Sequence, residues 1–222
     1  MKQLTFFLTS SLLLTFFLSP LSAQSEKRRA KREQFEQQGP KPGQPAPDFK
    51  LKTTEGKEIQ ASALWKQKPT VIMTASFTCP VFREQAPGFE KLTKEFGDKV
   101  NFLMVYTLEA HPKGEPSPYF GDERVTKKNE KEGLLFPQPK TMEERIGQAK
   151  TCQAHEKMSA PMVIDTMENS TWKAYGSAPN AAYLVGRAGK IVVQQGWFNP
   201  DTMRAAIVKL LPSVPADVKE KK

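Results

Sequence analysis

One short segment holds side chains that can do chemistry together: Ser76-Phe77-Thr78-Cys79-Pro80. Cys79 sits between a run of β-favouring residues and a run with helical spacing. That places its thiol at a strand end and at a helix start, with Pro80 at the first helical position, where proline fits best. The partial positive charge of a helix N-terminus favours a thiolate, so a lowered thiol pKa is expected there. A second segment, Leu108-Glu109-Ala110-His111-Pro112, closes another β-favouring run. A thiolate, an imidazole and a carboxylate on one rim make a nucleophile, a proton donor and an orienting group. Period-two spacing puts Glu109 and His111 on one side of an extended chain.

The elements around these residues must bring the two segments together. Thr70–Ala75 is a continuous apolar, β-favouring run after Pro69, as expected of a strand buried on both faces. Phe82, Ala86, Phe89 and Phe96 then recur at helical spacing, so residues 80–96 form an amphipathic helix. Pro87 lies inside it and is expected to kink it. Residues 100–107 form a second buried strand. Strand, helix and strand within about 35 residues make a βαβ unit with parallel strands, whose carboxyl ends share one rim. Ligands of open α/β sheets bind outside those ends, where Cys79, Glu109 and His111 would lie.

The remaining chain supplies further layers. Residues 47–51 and 57–60 read as a hairpin, with Thr54-Glu55-Gly56 as the turn, and 61–65 as a helical turn. Residues 112–140, interrupted by Pro and Gly, read as a long loop. Residues 141–158 are helical with Thr141 as N-cap. A short strand follows Pro161, and a helix spans about 168–175. Residues 182–185 and 190–193 flank Arg187-Ala188-Gly189 as a second hairpin, and residues 200–211 close the chain as a helix. The order β-α-β-α-β-β-α is that of an α/β thioredoxin-like fold, with a mixed central sheet flanked by helices. In that fold a cis-proline faces the active cysteine, and Pro161, just before a core strand, is the expected occupant.

Composition bounds the rest. The chain has 222 residues, 33 Lys+Arg against 24 Asp+Glu, a net charge of +9 and two cysteines. This length allows one domain with tails, and 38% hydrophobic residues suffice for a core. Two cysteines exclude a disulfide scaffold, and no Cys/His set has metal-site spacing, so no metal is expected. Residues 1–23 have a basic start, an apolar run and the small-residue exit Ser19-Pro20-Leu21-Ser22-Ala23. They read as a signal peptide, and the protein as exported, periplasmic or secreted. The alternative is a membrane anchor over residues 4–21, because Lys27, Arg28, Arg29, Lys31 and Arg32 follow directly. Residues 24–44 read as a basic polar linker, residues 45–212 as the domain and 213–222 as a polar tail. Much of the positive charge therefore lies outside the core. It has no interleaved aromatics, so nucleic acid is not an expected partner.

Taken in order, the motifs resemble the iodothyronine deiodinases. Ser76-Phe77-Thr78-Cys79-Pro80 with Phe82 is similar to that family's active segment, where the animal enzymes carry selenocysteine at the position of Cys79. Val105–Pro112 is similar to its Glu-Ala-His-Pro segment. Phe136-Pro137-Gln138-Pro139 and Asp165–Ser170 with Ala174-Tyr175-Gly176 match further blocks. The resemblance implies reductive removal of iodide from an aromatic ring. Cys79 attacks the halogen, His111 oriented by Glu109 delivers the proton, and Ser76 and Thr78 shape the pocket. It implies a small halogenated aromatic substrate and an external thiol reductant as cosubstrate, with no bound cofactor. A homodimer is compatible with it.

The chain departs from the family at two hormone-clamp positions, a histidine replaced by Pro139 and an arginine replaced at about Ala181, with Arg187 the nearest substitute. Two other readings stay open. Ser76-x-x-Cys79 echoes thiol peroxidases, although Ile72 replaces their expected proline and Phe82 occupies the second position of a C-x-x-C pair. A general thiol-disulfide protein acting on some other small oxidant belongs with this reading. The third reading is a non-enzymatic redoxin-shaped module. Cys152, at the edge of the 141–158 helix, is either a resolving thiol for Cys79 or a half-buried bystander without a permanent bridge.

Overall fold

The structure, a computed structural model, describes residues 33–211 together with Glu26, Arg29 and Ala30. The proposed leader at residues 1–23 and the tail at 213–222 lie outside the described residues. No described helix is long and apolar enough to cross a membrane.

Among the described residues from Lys50 onward, seven strands and six helices are present, in the expected order apart from one added helix. They are β1 (Lys50–Lys52), β2 (Glu58–Gln60), α1 (Ala61–Gln67), β3 (Thr70–Ala75), α2 (Pro80–Phe96) and β4 (Asn101–Tyr106). Then come α3 (Lys127–Glu132), α4 (Met142–His155), β5 (Met162–Ile164), α5 (Ser170–Ala174), β6 (Ala182–Val185), β7 (Ile191–Gln195) and α6 (Pro200–Leu210). β1 and β2 pair as a separate antiparallel hairpin. The central sheet has the order β5-β4-β3-β6-β7. β3, β4 and β5 are parallel neighbours, while β6 and β7 run antiparallel. Every side chain of β3 is buried, as its unbroken apolar sequence requires.

Alternation along β3 divides the core. Val71, Met73 and Ala75 pack with Phe82, Ala86 and Phe89 of α2 and with Met203 and Ile207 of α6. Ile72 packs on the opposite side with Trp65 of α1, Leu51 and Tyr183. α2 runs unbroken through Pro87, so the proline is accommodated within the helix. Gly88 lets α2 approach α6 closely, since a Cβ there would stand 2.8 Å from Cγ of Pro200. Thr141 caps α4 through a full capping box with Glu144.

Two expectations change here. The fold does not begin at Pro45. Residues 33–37 are helical, and Phe35 is buried against the rings of Tyr119 and Trp197. Gly176, at φ +86°, leaves room for residues 38 and 39 to cross it, where a Cβ would stand 2.7 Å from the Gly39 nitrogen. The stretch read as a linker is therefore docked along its described C-terminal half, through one large apolar side chain. The long loop also contains α3, whose sequence Lys-Lys-Asn-Glu-Lys-Glu has no apolar stripe. It is held instead by the Thr126 side chain capping the Asn129 N–H and by Gly133 in the left-handed conformation.

Candidate active site

The parallel pairing of β3 and β4 sets Ala75 opposite Tyr106, so both strands end on one rim. Beyond β3 the chain turns through Ser76–Thr78, with the Cys79 N–H donating to the Ser76 carbonyl at 3.1 Å. Cys79 is the N-cap of α2, with Pro80 at its first position. Its thiol is 2% exposed. Burial pushes the thiol up to about 11. The Phe82 and Val81 N–H groups and the Arg83 charge pull the other way without cancelling it. The helix start alone had implied a lowered value. Desolvation outweighs it because the site is closed.

Glu109 is fully buried and forms the hub of the rim. One carboxylate oxygen accepts from the Thr78 N–H and the Thr78 hydroxyl, both at 2.7 Å, and from the Ser76 hydroxyl at 3.3 Å. The other accepts from the Tyr106 hydroxyl. Gln138 clasps the Glu109 backbone from outside, its amide oxygen accepting from the N–H at 3.0 Å and its amide nitrogen donating to the carbonyl at 2.6 Å. Ser76 and Thr78 are therefore ligands of Glu109. Their oxygens also accept from the N–H groups of Ala110 (2.9 Å) and His111 (3.0 Å), which stitches the two segments together.

His111 lies on this rim, but Glu109 does not orient its ring. The carboxylate is saturated by donors from Ser76, Thr78 and Tyr106. The imidazole is fixed instead by the following loop. Its Nδ1 is 2.7 Å from the Arg124 carbonyl, its ring stacks on Phe120 at 6.0 Å, and Arg124 lies over the same phenyl ring at 4.4 Å. A carbonyl only accepts, so Nδ1 carries the hydrogen and the neutral ring keeps its lone pair on Nε2. Burial lowers the His111 pKa below the usual histidine value, and the Arg124 and Arg83 charges add to this.

Pro161 is not part of this site. β5 pairs with Met162 beside Met104 and Ile164 beside Tyr106, so Pro161 precedes the strand's first residue, at the opposite end from the rim. Pro161 is exposed, and no peptide bond among the described residues is cis. The strand that starts beside the rim is β6, which runs antiparallel to β3 and is preceded by Ala181. Arg187 is exposed in the β6–β7 turn, at the far end of β6, and cannot stand in at the Ala181 position. Cys152 is completely buried rather than half-buried, in the same apolar cluster as Cys79, and both thiols are free.

Several residues that complete the site were given no role by the sequence, although Tyr106 and Asp165 fall in segments that resemble family blocks. Tyr106 reads as one more apolar strand residue, and only its spacing of three from Glu109 hints at the contact. Arg145 looks like a surface residue of α4, yet it is 1% exposed and donates to the carbonyls of Asp165 and Thr166. Asp165 caps α5, accepting from the Thr171 and Trp172 N–H groups, and the Trp172 indole donates to the Tyr119 hydroxyl at 2.9 Å. A cavity of about 440 Å³ lies outside this framework, lined by Phe136, Gln138, Lys140 and Gln148 among others. Phe136 packs on Phe77 at 5.0 Å. Among the described residues, no group of three or more His, Cys, Asp or Glu side chains is arranged to hold a metal.

A sheet of this order, with a cysteine at the first turn of the helix after its central strand, defines a thioredoxin-like protein. Solved structures agree: the thioredoxin domain of a thiol-disulfide oxidoreductase from Bacteroides vulgatus has a TM-score of 0.54 at 15% identity, covering 77% of this chain and 98% of that one. A thiol-disulfide oxidoreductase from Bacteroides fragilis has 0.53 at 14% identity, covering 76% and 100%. The sequence narrows the class further. The iodothyronine deiodinase family model matches residues 24–210, and the chain belongs to that family. Its relatives include thyroxine 5-deiodinase of Homo sapiens, 29% identical over 160 residues, covering 69% of this chain and 47% of the relative. That of Ovis aries is 30% identical over 160 residues, covering 69% and 49%. The chain thus spans about half the length of the curated relatives it matches.

Proposed function

We propose that the protein is a cysteine-based reductive dehalogenase that removes iodide from a small aromatic substrate. The observation that carries this reading is the Glu109 hub, which locks the Cys79 turn of one strand end to the His111 segment of the next. Family membership supplies the reaction class.

The closed thiol is a poor nucleophile at neutral pH, so its proton needs an acceptor. His111 is neutral there, its Nδ1–H is committed to the Arg124 carbonyl, and Nε2 can receive that proton. The Cys79 thiolate attacks iodine, the carbon–iodine bond breaks, and the ring carbon keeps the electron pair. The imidazolium returns the proton to that carbon. The sulfur now carries iodine in a sulfenyl iodide. One external thiol displaces iodide and forms a mixed disulfide, and a second releases Cys79 and leaves as the oxidised disulfide. Glu109, Ser76, Thr78 and Tyr106 act as positioning residues. The reading takes its reductant from outside the protein, and the leader-like sequence of residues 1–23 favours an exported chain, with an anchor over residues 4–21 as the alternative.

The test is iodide release from a panel of iodophenols with dithiothreitol, set beside consumption of hydrogen peroxide. Iodide release that is lost in Cys79→Ala supports the reading. Rapid peroxide consumption without iodide release assigns the protein to the thiol peroxidases. A silent result in both assays, with Cys79 unreactive, assigns it to the non-enzymatic modules.

A further inference from the structure

Arg83 is a second buried ion beside Cys79, and the mechanism above does not use it. It is four residues beyond Cys79 on α2, on the same helix face, and its N–H donates to the Cys79 carbonyl at 3.2 Å. Long helical side chains lean back toward the N-terminus, and this one does. Its guanidinium donates to the Phe77 carbonyl at 2.6 Å, two residues before Cys79. The other nitrogen donates to Asn129 Oδ1 at 2.9 Å and to Glu132 Oε2 at 2.8 Å. Asn129 is fully buried and donates in turn to the Thr78 carbonyl at 2.9 Å. The Arg83 side chain is 4% exposed and that of Glu132 is 36% exposed. A buried cation with one half-exposed anionic partner keeps part of its charge for its surroundings.

The groups facing Cys79 have unequal signs. Arg83 is the cation on its own helix. Glu109 on the rim is the anion, and His111 is neutral. The Tyr106 hydroxyl and the Cys152 thiol are buried, the Tyr119 hydroxyl is partly buried, and all three are uncharged, each pushed upward by desolvation. The Arg83 charge favours a thiolate at both Cys79 and Cys152, and Glu109 opposes it.

We propose that Arg83 is the counter-cation of the Cys79 thiolate, and that Glu132 on α3 sets how much of that charge Cys79 receives. α3 then serves as a reactivity control: its Asn129 and Glu132 dock on Arg83 and Thr78, beside the thiol. Arg83 acts through Cys79 and is a positioning residue. The inference rests on Cys79 being the reactive thiol but not on the identity of its substrate, so it holds for dehalogenation and for other thiol chemistry.

The experiment is the pH dependence of Cys79 alkylation by iodoacetamide, followed by mass spectrometry of the Cys79 peptide in the full chain. Glu132→Gln should move the midpoint to lower pH and speed alkylation at pH 8 by about threefold to tenfold, since one pH unit changes the thiolate fraction tenfold. Arg83→Met should move it to higher pH and slow alkylation by about tenfold. Arg83→Lys should retain part of the effect, because the charge stays but the fork is lost. Circular dichroism checks that Arg83→Met is folded. If it is not, Glu132→Gln decides alone, because that side chain is half-exposed. A Glu132→Gln midpoint that is unchanged or higher overturns the proposal. So does a folded Arg83→Met with the wild-type midpoint. Because alkylation reads the thiol directly, these outcomes are separate from any failure to release iodide.

Discussion

Glu109 and His111 stand two residues apart on one rim and are built in opposite ways. Glu109 is fully buried and its carboxylate accepts from Ser76, Thr78 and Tyr106. His111 is half-buried, and its ring is held by one carbonyl and one exposed phenyl of an irregular loop. The contrast separates two tasks. A group that must not move is tied by several bonds from the β3–α2 turn and the end of β4. A group that must exchange a proton is left with a free nitrogen and a light support. Stability should therefore follow Glu109, and turnover should follow His111.

Replacing Glu109 by Ala is the strongest way to break this contrast. It leaves the Thr78 N–H, two hydroxyls and the Tyr106 phenol without their acceptor. The expected loss of stability is about 3 kcal/mol or more, read from the urea midpoint. A loss under about 1 kcal/mol would mean that the hub does not hold the rim. His111→Gln should do the reverse. Its stability should change by no more than about 1 kcal/mol, while kcat/KM for dehalogenation falls about 100-fold or more. The wild-type pH profile sharpens the same point. Protonated His111 cannot accept from Cys79, so activity should fall on the acid side, below the usual histidine range, because burial lowers that pKa. An acid limb that persists unchanged in His111→Gln would assign it to another group. Phe120→Ala should have the smallest effect. Phe120 is 44% exposed, so stability should shift by less than about 0.5 kcal/mol. The loss of ring stacking should still raise KM a few-fold, and an unchanged KM would show that the loop needs no such support.

The parallel pair and its rim were legible because β3 and β4 are unbroken apolar runs and α2 has a clear stripe. Cys79, Glu109 and His111 followed from strand ends. What escaped was set by tertiary context. The burial that raises the Cys79 pKa belongs to a core cluster whose members include residues distant in sequence, such as Phe198 and Met203, so the helix-start argument gave the wrong sign. The ring partner of His111 is an arginine carbonyl, and a backbone acceptor has no sequence signature. Pro161 was misplaced because a proline before a strand reads the same whether the strand is parallel or antiparallel. Only the pairing of β5 with β4 places it away from the rim. Arg83 and Arg145 are charged positions on helices, and nothing local to either shows which distant segment will cover the charge. Phe35, alone in a polar stretch, was the one signal that this stretch docks.

The central claim is that the Cys79 sulfur takes the halogen. It is tested most directly by incubating the reduced protein with an iodophenol without reductant, blocking with iodoacetamide and quantifying the Cys79 peptide by mass spectrometry. Cys79 should become refractory to alkylation in step with the deiodinated phenol formed, and dithiothreitol should restore it. Phenol formed while Cys79 stays fully alkylatable would contradict that claim.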